Sequence, residues 1–317
     1  MRARPALLLL AAAILAGACG LKPELPSQIP NTQLLGDESY EVTYRWLVAG
    51  VTDMLVHRST SIFYVIQAAE SLSIYPTYRR EDQVTPSHKR LFQGLTAPRL
   101  LADGNDHDFR IWVYDAADDL VKGYDGGEFL DTLAVQVSFT DPAWQEVVAL
   151  AADDAGRVFV ADRGPNRIYR YRVGGTPASP TVSADGQLSW TSQAGGATVR
   201  DIAFAGGRLY LLDDGLGTLQ VLDPASGPLN PPLFDYYDEL LDEPIALTAD
   251  GEHLFVINRA DTTVWELSAE LDPEGQLRVN THAKEILRAP AALTVVAGRV
   301  YVADPELGKI IDYEKRQ

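Results

Sequence analysis

Val158–Arg172 reads VFVADRGPNRIYRYR: a short apolar run closed by Asp162, four turn residues (RGPN), and an alternating strand from Arg167. Gly164, Pro165 and Asn166 account for the reversal, because Gly and Asn tolerate left-handed backbone and Pro presets its own φ. The phrase recurs. Apolar strands closed by a polar residue end at Gln67, Asp115, Asp162, Asp213, Asn258 and Asp304, spaced 45 to 51 residues apart. Four turn residues follow each of them (AAES, AADD, RGPN, DGLG, RADT, PELG), and a new strand begins at Ser73, Val121, Ile168, Leu219, Val264 and Ile310. Ahead of these strands lie further short apolar runs, such as VVALAAD, RDIAFA and PIALTAD.

Six units with three visible strands and room for a fourth predict an all-β fold, a six-bladed β-propeller. The outer-strand candidates are HKRLFQG (88–94), LSWTSQ (188–193), LFDYYDE (233–239) and KEIL (284–287). The last unit stops after KIIDYEK, while the alternating stretch YEVTYRWLV (40–48) precedes the first unit with nothing to pair with. Joining these loose ends completes the last blade and closes the ring without an open edge. A sandwich is the structural alternative, but a fixed turn length at a fixed period argues against it.

VFVADRGPNRIYRYR and VYVADPELGKIIDYE resemble NHL repeats, whose phrase is an apolar strand, Asp, a short turn with Asn, then Arg-Ile and a strand. The resemblance spans residues 147–313 and is poor in the first two units, where Gln67 replaces Asp and Pro76 interrupts a strand. It implies a fold that hosts binding proteins, scaffolds and several enzymes, so fold alone leaves function open.

The N-terminus reads as an export signal: Arg2 and Arg4, an apolar run from Ala6 to Ala16, then LAGAC ending at Cys19, the only cysteine of the chain. That run is too short to span a bilayer. Leu15 to Cys19 resemble a bacterial lipobox, which implies that Cys19 is acylated and becomes the mature N-terminus. Ala16 stands where a larger aliphatic residue is usual, and a plain secretory signal is the alternative. The expected organisation is a signal peptide (1–18), a Pro-rich tether (19–39) with Pro23, Pro26 and Pro30, and a propeller (40–317). With no second cysteine, no intramolecular disulfide can form, so stability must come from packing.

Acids outnumber bases 44 to 27, a net charge of −17 that becomes −19 once Arg2 and Arg4 leave with the signal. Such a surface repels nucleic acid and leaves the lipid anchor as the expected membrane contact. Gly20 rather than Asp after the cysteine resembles outer-membrane sorting where the cell has two membranes.

Four constellations are candidates for chemistry. Gln67, Asp115, Asp162, Asp213, Asn258 and Asp304 face one rim, either as a ring of oxygen ligands or as turn caps accepting backbone N–H bonds; recurrence in every unit favours the caps. Lactonase- and lyase-like propellers hold a channel metal with acids at inner-strand starts, where this chain has Thr52-Asp53, Pro98-Arg99, Val147, Arg200-Asp201, Pro244 and Pro290. Only Asp53 and Asp201 are acidic there, and the histidines at 57, 88, 107, 253 and 282 show no metal-ligand spacing. Asp103, Asn105, Asp106 and Asp108 in DGNDHD offer oxygen ligands for Ca²⁺, or form a solvated turn. The fourth, LFDYYDELLDEP (233–244), sets Phe234, Tyr236 and Tyr237 among five acids, suiting an interface or packing between blades.

These readings converge on a lipid-anchored envelope lipoprotein whose propeller is a non-catalytic binding or scaffold module for an envelope protein or small ligand. No catalytic residue and no cofactor is assigned. The expected binding face carries Glu70, Asp119, Arg163, Asp214, Arg259 and Glu306, turn residues that vary in charge from unit to unit. The alternative is a metal-dependent lactonase- or lyase-like enzyme with a channel site.

Overall fold

A computed structural model describes residues 40–58, 62–67, 71–76, 91–92, 94–104, 110–125, 132–176, 178–189, 199–213, 218–224, 227–228, 241, 243–277, 279–280 and 285–315. Among the described residues there are strands and turns and no helix.

The strands form six antiparallel meanders. The first sheet is Val51–Val56, Ile62–Gln67 and Ser71–Pro76; the second is Pro98–Asp103, Arg110–Asp115, Leu120–Asp125 and Val135–Phe139. The third is Val147–Ala152, Arg157–Asp162, Arg167–Thr176 and Ser179–Ser189; the fourth is Val199–Ala205, Arg208–Asp213, Thr218–Asp223 and Gly227–Pro228. The fifth is Pro244–Asp250, His253–Asn258, Thr263–Ser268 and Pro273–Leu277. The sixth is Ala292–Val296, Arg299–Asp304 and Lys309–Lys315, with Tyr40–Leu47 as its fourth strand. Tyr40 faces Lys315 and Leu47 faces Lys309 in that last antiparallel pair. The first strand of each sheet neighbours that of the next: 51–56 lies beside 98–103, and 292–296 lies beside both 244–250 and 51–56. The fold is a β-propeller.

Between their end residues the second strands are continuously apolar rather than alternating, because neighbouring sheets cover both of their faces. Val158, Phe159, Val160 and Ala161 are all buried, as are Leu254, Phe255, Val256 and Ile257. Burying each large aliphatic or aromatic side chain contributes roughly 1.5–3 kcal/mol. The apolar clusters lie between sheets. Between the second and third, Trp112, Trp144, Tyr171 and Phe139 pack together. Trp144 Nε1–H donates to the Tyr171 hydroxyl at 3.0 Å, which donates in turn to Asp141 at 3.0 Å. Polar tips inside an apolar seam need such partners.

The outer strands differ from expectation. The second and fifth sheets use Val135–Phe139 and Pro273–Leu277, and the third uses a strand that begins at Ser179. Leu91–Phe92 instead pairs in parallel with Thr132–Leu133, and Glu285–Ile286 pairs with Val279–Asn280 in a separate ribbon. Residues 233–239 lie outside the described residues. Outer strands have one partner and a polar edge, so they carry little apolar signal; SPTVSADGQLS shows this.

Most of the four-residue turns share one geometry. In four of them the fourth residue is left-handed: Asp119 at φ 57°, Asn166 at 52°, Thr262 at 55° and Gly308 at 65°. The first turn departs from the expected length, because Gln67 pairs directly with Ser71, which already belongs to the next strand. Gly164 is not left-handed. It is required for space, since a Cβ there would sit 2.7 Å from the Gln145 Cβ.

Candidate functional site

An innermost propeller strand has no pairing partner on its channel side, so its outward N–H and C=O groups need another solution. In the first five sheets this strand is irregular after its first residue, between Val51 and Asp53 and between Val199 and Asp201 for example. Such bulges re-aim the side chains that follow. Asp53 and Asp201 occupy equivalent places, in the first and fourth sheets. Each carboxylate accepts the N–H of its own successor, Met54 at 2.8 Å or Ile202 at 2.9 Å. Each also accepts an N–H from the next sheet, Leu101 at 2.7 Å or Leu247 at 2.7 Å. Thr294 Oγ1 does similar work between the sixth and first sheets, accepting the Val56 N–H at 3.0 Å. These side chains therefore tie neighbouring sheets together at the channel.

Asp53 and Asp201 also line a channel cavity of about 370 Å³, with Thr52, Arg58, Asp103, Arg163, Arg200 and Thr248. Burial pushes each carboxyl up to about 7, against the opposing pull of the N–H donors. For Asp53 the charge of Asp201 adds to that rise. At the other end of the same strands, Asp103 meets residues the sequence left scattered. Its Oδ2 accepts the Arg58 backbone N–H at 3.2 Å and Nε–H at 3.1 Å. Its Oδ1 lies 3.5 Å from Nε2 of the buried His57. Burial raises the Asp103 pKa while His57 and Arg58 pull it down. Asp103 thus faces its neighbouring blade, and Asn105, Asp106 and Asp108 lie outside the described residues.

The polar residues that close the second strands staple the chain. Asp162 accepts N–H bonds from Gln145 and Glu146, both at 2.8 Å, on the loop entering the innermost strand, and from Gly164 at 3.1 Å in its own turn. Asp304 does the same with Arg288, Ala289 and Leu307, and Asp115 with Thr96, Ala97 and Ala117. Asp115 is further held by buried Lys122, whose ammonium donates to it at 2.6 Å, to Asp118 at 2.6 Å and to the Gly94 carbonyl at 2.5 Å. Burial alone would raise the Asp115 pKa, but Lys122 and the amides outweigh it and hold it below the usual range. Gln67 donates to the Ala49 carbonyl, Asn258 donates to Asp261, and Asp213 accepts from Gln220.

On the turn face, Arg163 pairs with Glu146 at 3.7 Å and donates through Nε to the Val199 carbonyl at 3.1 Å, so it spans two sheets at the cavity mouth. Arg259 pairs with Glu243 at 3.2 Å, and Glu306 with Arg288 at 3.7 Å, both pairs well exposed. Asp119 accepts the Tyr114 hydroxyl at 2.8 Å. Glu70, Asp214 and Cys19 lie outside the described residues.

A separate cluster escaped sequence reading. His253, Glu266 and Glu274, on three consecutive strands of the fifth sheet, bring their ligand atoms within 4.8 Å of one another. Their only sequence signal was membership of adjacent strands, and register decided the rest.

No family model matches this chain, and no curated protein matches it. Among solved structures, it is similar to one titled "Crystal structure of Nidogen/Laminin Complex", at 17% identity and a TM-score of 0.49, over 77% of this chain and 84% of that one. It is also similar to the Myxococcus xanthus glutaminyl cyclase structure, at 12% identity and a TM-score of 0.46, over 87% of this chain and 95% of that one.

Proposed function

We propose that this chain is a bacterial envelope lipoprotein, anchored through Cys19, whose six-bladed, NHL-like propeller is closed by residues 40–47 and recognises an envelope partner without catalysis. One observation carries the reading: exposed ion pairs change order from sheet to sheet on the turn face. Arg259 sits in its turn with Glu243 on the entering loop, whereas Glu306 sits in its turn with Arg288 on the loop. Exposed pairs of this kind contribute about 0–1 kcal/mol to folding, which frees them to encode recognition.

Arg163 is a poor first probe, because its bond to Val199 also braces the scaffold. The cleaner test is Arg259→Glu with Glu306→Arg, followed by envelope crosslinking. Partner capture should fall while the unfolding free energy, followed by melting, changes by no more than about 0.5 kcal/mol. Unchanged capture would sink the assignment of this face.

A second reading has its own observation, two carboxyls poised near pH 7 in one polar cavity, where general acid–base chemistry operates best. The pair does not fit a channel metal: all four carboxylate oxygens already accept amide N–H bonds, and the two residues come from the first and fourth sheets. Ester or lactone turnover abolished by Asp53→Asn and Asp201→Asn would replace the binding assignment.

A further inference from the structure

We infer that His253, Glu266 and Glu274 form a site for a divalent transition-metal ion of the zinc type, with Lys315 as the resident cation that the metal displaces. The site lies on the fifth sheet, outside the channel and away from the turn-face pairs.

Strand register explains how the three meet. Phe255 pairs with Glu266 across the second and third strands, and His253 lies two residues from Phe255, so it shares the face that carries Glu266. Across the next pair, Glu266 faces Gly275 while Leu267 faces Pro273, which leaves Glu274 as the extra residue of a bulge. A bulge turns its side chain out of the regular alternation, and here it aims Glu274 at the other two. His253 Nδ1 lies 2.7 Å from Glu274 Oε2 and 3.5 Å from Glu266 Oε1. Ligand atoms around a tetrahedral zinc ion stand about 3.3 Å apart, so the three atoms need to move only a little to accept one.

Charge and access point the same way. Glu266 is 2% exposed, an unusual place for a carboxylate unless a cation accompanies it. The Lys315 ammonium supplies that cation from the sixth sheet, 2.8 Å from Glu266 Oε1. Lys315 is 46% exposed on a flexible stem, so it can swing into water when a metal arrives. His253 and Glu274 are exposed enough to admit an ion from solvent. One imidazole with two carboxylates selects zinc-like ions over calcium or magnesium, which prefer all-oxygen sets. Three protein ligands leave a fourth position for water or for a donor from a partner.

The test is calorimetric titration of the full chain in detergent with zinc chloride, beside calcium chloride as a control. One zinc ion should bind per chain and raise the melting temperature, with calcium failing to compete. Glu274→Gln lies on an exposed bulge and leaves the core untouched, and both it and His253→Ala should abolish the zinc heat. Lys315→Met removes the competing cation and should tighten zinc binding. No zinc heat in the wild type, heat retained in Glu274→Gln, or looser binding in Lys315→Met would each overturn the assignment.

Discussion

At the scale of single residues, the turns show what the repeat demands. In four of them the fourth position is left-handed, a conformation that Gly and Asn accept and β-branched residues resist. Asn166 and Gly308 comply, whereas Thr262 holds φ 55° against its own preference. Thr262→Asn should therefore stabilise the protein by roughly 0.5–1 kcal/mol, read as a higher melting temperature. A fall would mean that its hydroxyl bond to the Asp261 carbonyl outweighs the strain. The channel carboxyls give a pH signature. An unfolded aspartate titrates near 4, while Asp53 in the fold titrates at about 7. Between those values the native state keeps a proton that the unfolded chain has released, so this residue makes stability fall as pH rises from about 4 to about 7. Asn cannot titrate, and its amide cannot accept both N–H bonds. Relative to the wild type, Asp53→Asn should thus fare worst near pH 4 and progressively better towards pH 7. Melting curves across that range check it; a constant difference would show that Asp53 does not titrate there.

At the scale of elements, Tyr40–Leu47 is the strand that the chain's start lends to the last sheet. It covers the edge of Lys309–Lys315, whose Ile310, Ile311 and Tyr313 are buried. An uncovered strand presents a row of unpaired N–H and C=O groups to other chains. A chain beginning at Val48 should melt at a lower temperature and self-associate, measured by light scattering. A monomer of unchanged stability would show that the strand adds nothing. The other sheets make the same point through their outer strands, which were the least legible parts of the sequence. Gly227–Pro228 is a two-residue strand, and Ser179–Ser189 is a polar one. Neither is marked by apolar alternation, because pairing on one side does not require it.

At the scale of the molecule, the proposed tether and anchor would decide where the propeller works. With Cys19 acylated, two or more chains would hold the protein durably at a membrane, where one chain binds only marginally. Cys19→Ala should move it to the soluble fraction or stall its processing, read by fractionation and mass spectrometry of the N-terminus. An unmodified N-terminus elsewhere would remove the anchor from the picture.

The sequence by itself determined the repeat. Apolar second strands, their polar closing residues and the four-residue turns are local requirements of burial and backbone conformation, so they are written in consecutive residues. Asp162 and Asp304 were recognisable for that reason. Only the tertiary structure decided what each polar group touches. Asp162 bonds the loop entering its own sheet as well as its turn, Asp53 reaches Leu101 in the next sheet, and Asp103 turns to His57 in the neighbouring sheet. His253, Glu266 and Glu274 meet because a bulge shifts one residue's direction. Contacts of this kind depend on strand register and on which sheet lies alongside, and no single stretch of chain encodes either.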